Sequence, residues 1–152
     1  MVELSEGRII ENDLDLNAVV KEFSKYSKDG SGALLIFVGL VKGLVDDKKV
    51  YELEYSAYEP YASEILNKIA VEESRDEGIY DIRIYHKIGS VKVGEPTLYI
   101  IISGGSRHDV ISKMSKVVER VKKEPYIFKL EKREDGEYWV YGDGRRFRRE
   151  KR

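Results

Sequence analysis

Residues 32–42, GALLIFVGLVK, are the strongest apolar segment of the chain, and Ala33–Val41 within them predict a buried strand. Shorter apolar or alternating runs on both sides predict further elements. The predicted strands are Arg8–Glu11, Val50–Tyr58, Asp81–Ile88 and Thr97–Ser103, with a closing hairpin of Tyr126–Glu131 and Tyr138–Tyr141 around Asp135-Gly136. The predicted helices are Asp15–Tyr26, a segment that Pro60 opens, and about His108–Lys123. Lys42–Lys49 reads as a polar loop and Gly89–Gly94 as a turn region. Because helices and strands alternate irregularly, we expect an α+β fold with several antiparallel pairs.

The composition is typical of one globular domain. The chain has 152 residues, of which 41% are hydrophobic and 36% charged, and a chain of this length can bury a core without a disulfide or a metal. We expect a domain over residues 1–144 and a basic, flexible tail over residues 145–152. The sequence lacks an apolar run long enough for a membrane span, and its first residues do not have the pattern of a signal peptide. We therefore expect a cytoplasmic protein with no membrane association.

The chain contains no cysteine, which excludes a disulfide framework, a thiolate zinc site, a cysteine nucleophile and a protein persulfide. His86 and His108 are the only histidines, so a multi-histidine metal site is excluded as well. We therefore expect neither a bound metal nor a resident cofactor. The absence of glutamine and the small number of asparagines suggest a thermophilic source, because amide side chains are thermolabile.

Charge is distributed unevenly along the chain. Residues 1–104 carry 12 basic and 19 acidic side chains, whereas residues 105–152 carry 15 basic and 9 acidic ones. A basic C-terminal third in a nearly neutral protein indicates an anionic ligand or partner on one side of the molecule.

The segment Ser103-Gly104-Gly105-Ser106-Arg107 leads from a predicted strand into a predicted helix. Ser106 and Asp109 have the spacing of a capping box, and the free N–H groups of the helix start, together with Arg107, could bind an anion. A tight turn followed by a capped helix explains the same residues without any ligand.

Lys122 and Lys129 are candidate catalytic lysines. Lys122 borders the apolar face of the third helix, and Lys129 shares one side of the next strand with Ile127 and Glu131. Partial desolvation would lower the pKa of such a lysine and suit it to proton transfer, although a lysine there can also simply extend to water. Arg107 and Lys122 are fifteen residues apart, which is roughly 22 Å along a helix, so one small anion can contact both only across two chains.

For two other features, a structural role explains the residues at least as well as a functional one. Gly39-Leu40-Val41-Lys42-Gly43 could meet a phosphate, but it lacks the Gly-Lys-Ser/Thr signature of a phosphate loop. His86 lies alone in a predicted strand, where a histidine is more often structural than catalytic.

Taken in order, several segments resemble the large, catalytic subunit of molybdopterin synthase over about Arg8 to Tyr141. The resemblance rests on the following segments: residues 32–42, Leu53-Glu54-Tyr55-Ser56-Ala57-Tyr58, His86-Lys87-Ile88-Gly89, Gly94-Glu95, residues 103–107, Lys122 through Glu131, and Trp139. It implies a homodimer with an α/β hammerhead-type fold, mostly antiparallel strands and an added small antiparallel sheet. Each protomer would bind a small ubiquitin-like subunit, forming a heterotetramer. The C-terminal Gly-Gly thiocarboxylate of that subunit would supply sulfur to a cyclic pyranopterin monophosphate, precursor Z.

The resemblance also implies which residues form the site. Catalysis would fall on Lys122 and Lys129. Substrate binding would fall on Leu40, Val41, Lys42, Ser106, Arg107, Leu130 and Glu131. Two of these positions depart from the family, which usually has arginine at Lys42 and histidine at Ser106. Two other functions stay open: a non-catalytic adaptor for a ubiquitin-like protein, and a nucleic-acid-binding module that uses the basic residues Arg145–Arg152.

Overall fold

The structure is a computed structural model that describes residues 5–150. Its strands are β1 (Glu6–Ile10), β2 (Ala33–Leu40), β3 (Leu44–Val45), β4 (Lys48–Ala57), β5 (Ile79–Lys87), β6 (Gly89–Lys92), β7 (Pro96–Gly104), β8 (Ile127–Arg133), β9 (Gly136–Val140) and β10 (Arg146–Arg148). Its helices are α1 (Leu16–Phe23), α2 (Tyr61–Glu73) and α3 (Arg107–Lys123), and a 3-10 helix, Ser24–Asp29, follows α1.

Most of the apolar segment 32–42 forms β2, at one edge of a four-stranded sheet in the order β1-β5-β7-β2. The pair β1–β5 is parallel, and the other pairs are antiparallel. Helices α2 and α3 pack on one face of the sheet, over Ile82, Ile100 and Ile102. Helix α1 packs on the other face, over Tyr99 and Ile101. Burial on both faces explains why β7 reads as a continuous apolar run.

A second sheet has the order β10-β9-β8-β4-β3, and β6 also pairs with β4. Its own small core contains Val45, Val50, Leu53 and Val91. Strand β8 follows α3 after only a short connection, so the end of α3 and the face of this sheet meet. A cavity opens at this junction.

Buried charges join α2 and α3. The Glu73 carboxylate, which is buried, accepts a hydrogen bond from Lys113 at 2.8 Å and another from Arg120 at 2.9 Å. Arg120 also donates to Glu72 and Glu124. A buried carboxylate is tolerated only with such partners, so the network fixes the orientation of the two helices.

The predicted α+β fold with mostly antiparallel strands is confirmed. The structure differs from the expectation in three short segments. The predicted loop after Lys42 contains β3, and the predicted turn region around Ser90 is β6, which pairs with β4. Part of the tail that we expected to be flexible, Arg146–Arg148, forms β10 and pairs with β9. These segments become strands because a neighbouring strand supplies hydrogen bonds, which local sequence does not reveal.

Helix α1 also ends earlier than predicted, at Phe23, and continues as the 3-10 helix. Within residues 5–150, none of the helices combines the length and the apolar character needed to cross a membrane.

Candidate active site

A cavity of about 990 Å³ lies where α3 ends against the second sheet. Its wall includes the end of β2, the end of β5, the last turn of α3 and one side of β8. Five of the residues predicted from sequence line it: Leu40, Lys42, Lys122, Lys129 and Glu131. The fold therefore brings together Lys42, Lys122 and Lys129, which are as much as 87 residues apart in sequence.

The two candidate catalytic lysines have lowered pKa values. Lys122 lies at the open side of the cavity, and the surrounding walls desolvate its ammonium group, which lowers its pKa together with the positive charge of Lys42. Lys129 is less exposed. Burial, with the nearby charges of Lys122, Arg146 and Lys42, lowers its pKa to about 8. The pKa values of both lysines are thus closer to neutral pH than the pKa of a free lysine.

A buried carboxylate lies beside Lys129. Glu131 is only 3% exposed, and it accepts hydrogen bonds from Arg146 at 3.0 Å and from Arg133 at 3.5 Å. Its negative charge raises the pKa of Lys129 and so opposes part of the effect of burial. Alternation along β8 places Lys129 and Glu131 on the cavity side.

His86 and Tyr55 also line the cavity. The two rings meet edge to face with 4.9 Å between their centroids, and the His86 Nδ1 atom lies 2.6 Å from the Lys87 carbonyl oxygen. Burial and the charges of Lys122 and Lys129 lower the pKa of His86 to about 4. The histidine is therefore neutral at physiological pH.

Four predicted residues do not line this cavity. Val41 is buried in the small core of the second sheet. Leu130 is also buried, and it lies on β8 between Lys129 and Glu131, which face the cavity. Ser106 and Arg107 begin α3, at the opposite end from Lys122. The Ser106 hydroxyl accepts a hydrogen bond from the Asp109 N–H at 3.3 Å and donates one to the Asp109 carboxylate at 3.0 Å, as the capping prediction requires. Arg107 is exposed.

Arg146 and His86 line the cavity but were not among the residues predicted to act there. Arg146 belongs to the segment expected to be flexible, although Gly142-Asp143-Gly144 after a strand is a turn signal that could have predicted β10. His86 was assigned a structural role, and the signal that distinguishes it, its closeness to two lysines, exists only after folding.

The arrangement can bind an anion and move protons. Lys42, Lys122 and Lys129 supply positive charge in a partly enclosed space, where it acts more strongly than in water. A lysine whose pKa is about 8 can exchange a proton near neutral pH. Within residues 5–150 there is no cluster of acidic and histidine side chains that could hold a metal ion.

Known proteins resemble this chain over most of its length. The family model described as MoaE protein matches residues 9–124. A molybdopterin synthase catalytic subunit from Pyrococcus abyssi is 30% identical over 139 residues, which are 91% of this chain and 93% of that protein. The protein of the same name from Bacillus subtilis is 36% identical over 117 residues, or 76% of this chain and 74% of that protein.

Solved structures give the same result. The molybdopterin biosynthesis MoaE protein from Burkholderia ambifaria superimposes with a TM-score of 0.73 at 31% identity, covering 90% of this chain and 89% of that one. Molybdopterin synthase from Staphylococcus aureus superimposes with a TM-score of 0.69 at 26% identity, covering 91% of this chain and 98% of that one.

Proposed function

The chain belongs to the molybdopterin synthase catalytic subunit family, and from this membership we propose how its cavity works. It is an enzyme of sulfur transfer in molybdenum cofactor biosynthesis. Its substrate is cyclic pyranopterin monophosphate, precursor Z, and its sulfur comes from the C-terminal thiocarboxylate of a small ubiquitin-like subunit. The observation that carries this proposal is the cluster of Lys42, Lys122 and Lys129 in one cavity.

Each lysine has a distinct role. Lys42 attracts the phosphate of the substrate, although as a lysine it cannot make the two parallel hydrogen bonds of an arginine. Lys122, with its lowered pKa, acts as the acid–base catalyst or stabilises the oxyanion that forms at the thiocarboxylate carbonyl. Lys129 neutralises developing negative charge and helps to open the cyclic phosphate.

Arg107 joins the site from a second copy of the chain. Arg107 and Lys122 are at opposite ends of α3, roughly 22 Å apart, so a single chain cannot bring both to one phosphate. In a symmetric dimer, each of the two cavities can combine Lys122 of one protomer with Arg107 of the other. With one small subunit bound to each protomer, the assembly is a heterotetramer.

The other two functions have less support. Within residues 145–150, three of the four arginines on which the nucleic-acid hypothesis relies are paired with carboxylates: Arg145 with Asp143, Arg146 with Glu131 and Arg149 with Glu137. A pure adaptor would not need lysines with lowered pKa values inside a cavity. The cytoplasmic location and the thermophilic source stay predictions from composition.

Reconstitution tests the proposal. The chain is mixed with a ubiquitin-like partner that carries a C-terminal thiocarboxylate and with precursor Z, and the fluorescent oxidation product of molybdopterin is measured. We expect product with the wild type and a loss of about 10²- to 10⁴-fold with Lys122→Ala, while partner binding stays nearly unchanged.

Lys116→Ala is the matched control, because Lys116 lies on the same helix but is exposed and contacts Glu73 outside the cavity. Full activity of Lys122→Ala would exclude its catalytic role. A stable complex with the partner but no product from the wild type would instead favour the adaptor.

A further inference from the structure

We propose that His86 contacts the substrate directly and selects it, because its Nε2 atom accepts a hydrogen bond from an N–H group of the bound heterocycle. This rests on the function proposed above, since it concerns the substrate of the same cavity. Sequence alone assigned His86 a structural role. Three observations about its ring lead to a different conclusion.

The first observation is the tautomer. The Nδ1 atom of His86 lies 2.6 Å from the carbonyl oxygen of Lys87, and a carbonyl oxygen can only accept a hydrogen bond. Nδ1 therefore carries the proton, and Nε2 carries the lone pair. The lowered pKa of His86 keeps the ring in this neutral form at physiological pH.

The second observation is where Nε2 lies. Among residues 5–150 no hydrogen-bond partner of Nε2 is found, yet no fully buried side-chain nitrogen or oxygen of these residues is left without a partner. Nε2 must therefore be reachable from outside the protein. Because His86 lines the cavity and is only 7% exposed, that opening is the cavity itself.

The third observation is what surrounds it. Lys42, Lys122 and Lys129 offer only donors, which suit the oxygens of a phosphate. Three carboxylates line the cavity, and each already has a basic partner: Glu131 accepts from Arg146 and Arg133, Glu124 from Arg120, and Glu119 pairs with Lys123. Neutral hydroxyls such as that of Tyr55 can donate or accept and so discriminate little.

His86 thus adds an acceptor of fixed orientation to a cavity dominated by donors. A pterin ring carries N–H groups that need an acceptor, whereas a free phosphate or a sugar phosphate lacks such ring N–H groups. A ligand that presents an acceptor to Nε2 would leave two lone pairs facing each other, which is unfavourable in a partly buried place. The lysines would bind the phosphate, and His86 would recognise the ring.

Two substitutions separate this role from a structural one. In His86→Asn the side-chain amide nitrogen can still donate to the Lys87 carbonyl, but no atom reaches the Nε2 position. In His86→Gln the amide reaches the Nε2 position and the bond to Lys87 is lost. We expect His86→Asn to bind precursor Z about 10-fold to 100-fold more weakly, with a thermal midpoint near that of the wild type. We expect His86→Gln to keep more of the affinity and to lose more of the stability.

His86→Phe is the second probe, since it keeps a ring against Tyr55 without any polar atom. Binding of precursor Z is measured by fluorescence titration, and inorganic phosphate is the control ligand. Phosphate affinity should not change in His86→Asn or His86→Phe, because phosphate does not use Nε2. In the reconstituted reaction, both variants should raise KM more than they lower kcat.

The outcomes are distinct. Wild-type affinity for precursor Z in His86→Asn and His86→Phe would overturn the role of His86 while leaving the proposed function intact. An equal loss of phosphate and pterin binding would also overturn it, because the damage would then be to the whole cavity. A wild type that binds no pterin at all would instead contradict the proposed function.

Discussion

Lys129 is the residue whose protonation state we expect to control the pH dependence of the reaction. Its pKa of about 8 lies inside the range in which the enzyme can be assayed. If Lys129 neutralises negative charge, its ammonium form is the active one, and kcat falls as the pH rises through about 8. A pH–rate profile of the reconstituted enzyme measures this directly. An activity that increases through the same range would assign Lys129 the role of a base.

Glu131→Gln sharpens the same prediction. The carboxylate of Glu131 raises the pKa of Lys129, so its removal should lower that pKa and move the falling limb to lower pH. Glu137→Gln is the control, because it removes the same charge from the neighbouring strand, where Glu137 pairs with Arg149. Its pH profile should match that of the wild type.

Candidate site residues could be named from the sequence where the type of one side chain and its immediate neighbours indicate the chemistry. Their position beside apolar residues made Lys122 and Lys129 candidates, and the family resemblance assigned them to catalysis. Burial lowers the pKa of both in the structure, and their catalytic roles stay predictions. The environment of His86 was not predictable, because its neighbours come from α3 and β8 rather than from its own strand. The sequence around His86 contains no pattern that indicates two lysines which are close in space but distant in sequence.

At the scale of elements, the turn between β9 and β10 is packed directly on the end of α3. A Cβ atom at Gly142 would lie 2.1 Å from the carbonyl oxygen of Lys122. Because the backbone fixes the position of a Cβ atom and the carbonyl oxygen is itself a backbone atom, no side-chain rotation can relieve this contact. We expect Gly142→Ala to push the turn and α3 apart, to cost about 1–3 kcal/mol in the free energy of unfolding, and to lower kcat by displacing Lys122.

Denaturant unfolding and reconstituted turnover test this prediction together. Gly105→Ala is the matched control for stability, since its Cβ would meet only an ordinary contact at 3.4 Å from the Asp109 carboxylate. Equal stability of Gly142→Ala and the wild type would mean that the turn has room to move and does not set the position of α3.

Long elements with a clear period were predictable, and short ones that depend on a partner were not. The periodicity of α3 and the apolar run of β2 identify these elements without any neighbour. By contrast, β3, β6 and β10 have two to four residues each and are held by the strands beside them. The strand β10 forms part of the cavity wall. Because β10 was not predicted, Arg146 was not predicted as a site residue either.

At the scale of the whole molecule, the length of α3 predicts a specific pattern of complementation. A mixed dimer of one Lys122→Ala chain and one Arg107→Ala chain has one cavity with both residues intact and one with neither. We expect this mixed dimer to have about half the activity of the wild type, while each variant alone is inactive. Differently tagged copies, purified as the mixed species, provide the measurement.

The alternative gives a clear contrast. If Arg107 and Lys122 of the same chain served one cavity, neither cavity of the mixed dimer would be complete, and the mixed species would be as inactive as its parents. Arg8→Ala supplies the control, because Arg8 is an exposed arginine on β1 that does not line the cavity. Pairing it with Lys122→Ala should again leave one working cavity.

The pairing of β10 also has a consequence for the gene. A stop codon at position 145 would leave every predicted catalytic residue in the product and would remove β10. The truncated chain would lack Arg146, which is one of the two arginines that donate hydrogen bonds to Glu131. Late nonsense and frameshift alleles should therefore behave as loss-of-function alleles, even though they fall after every predicted catalytic residue.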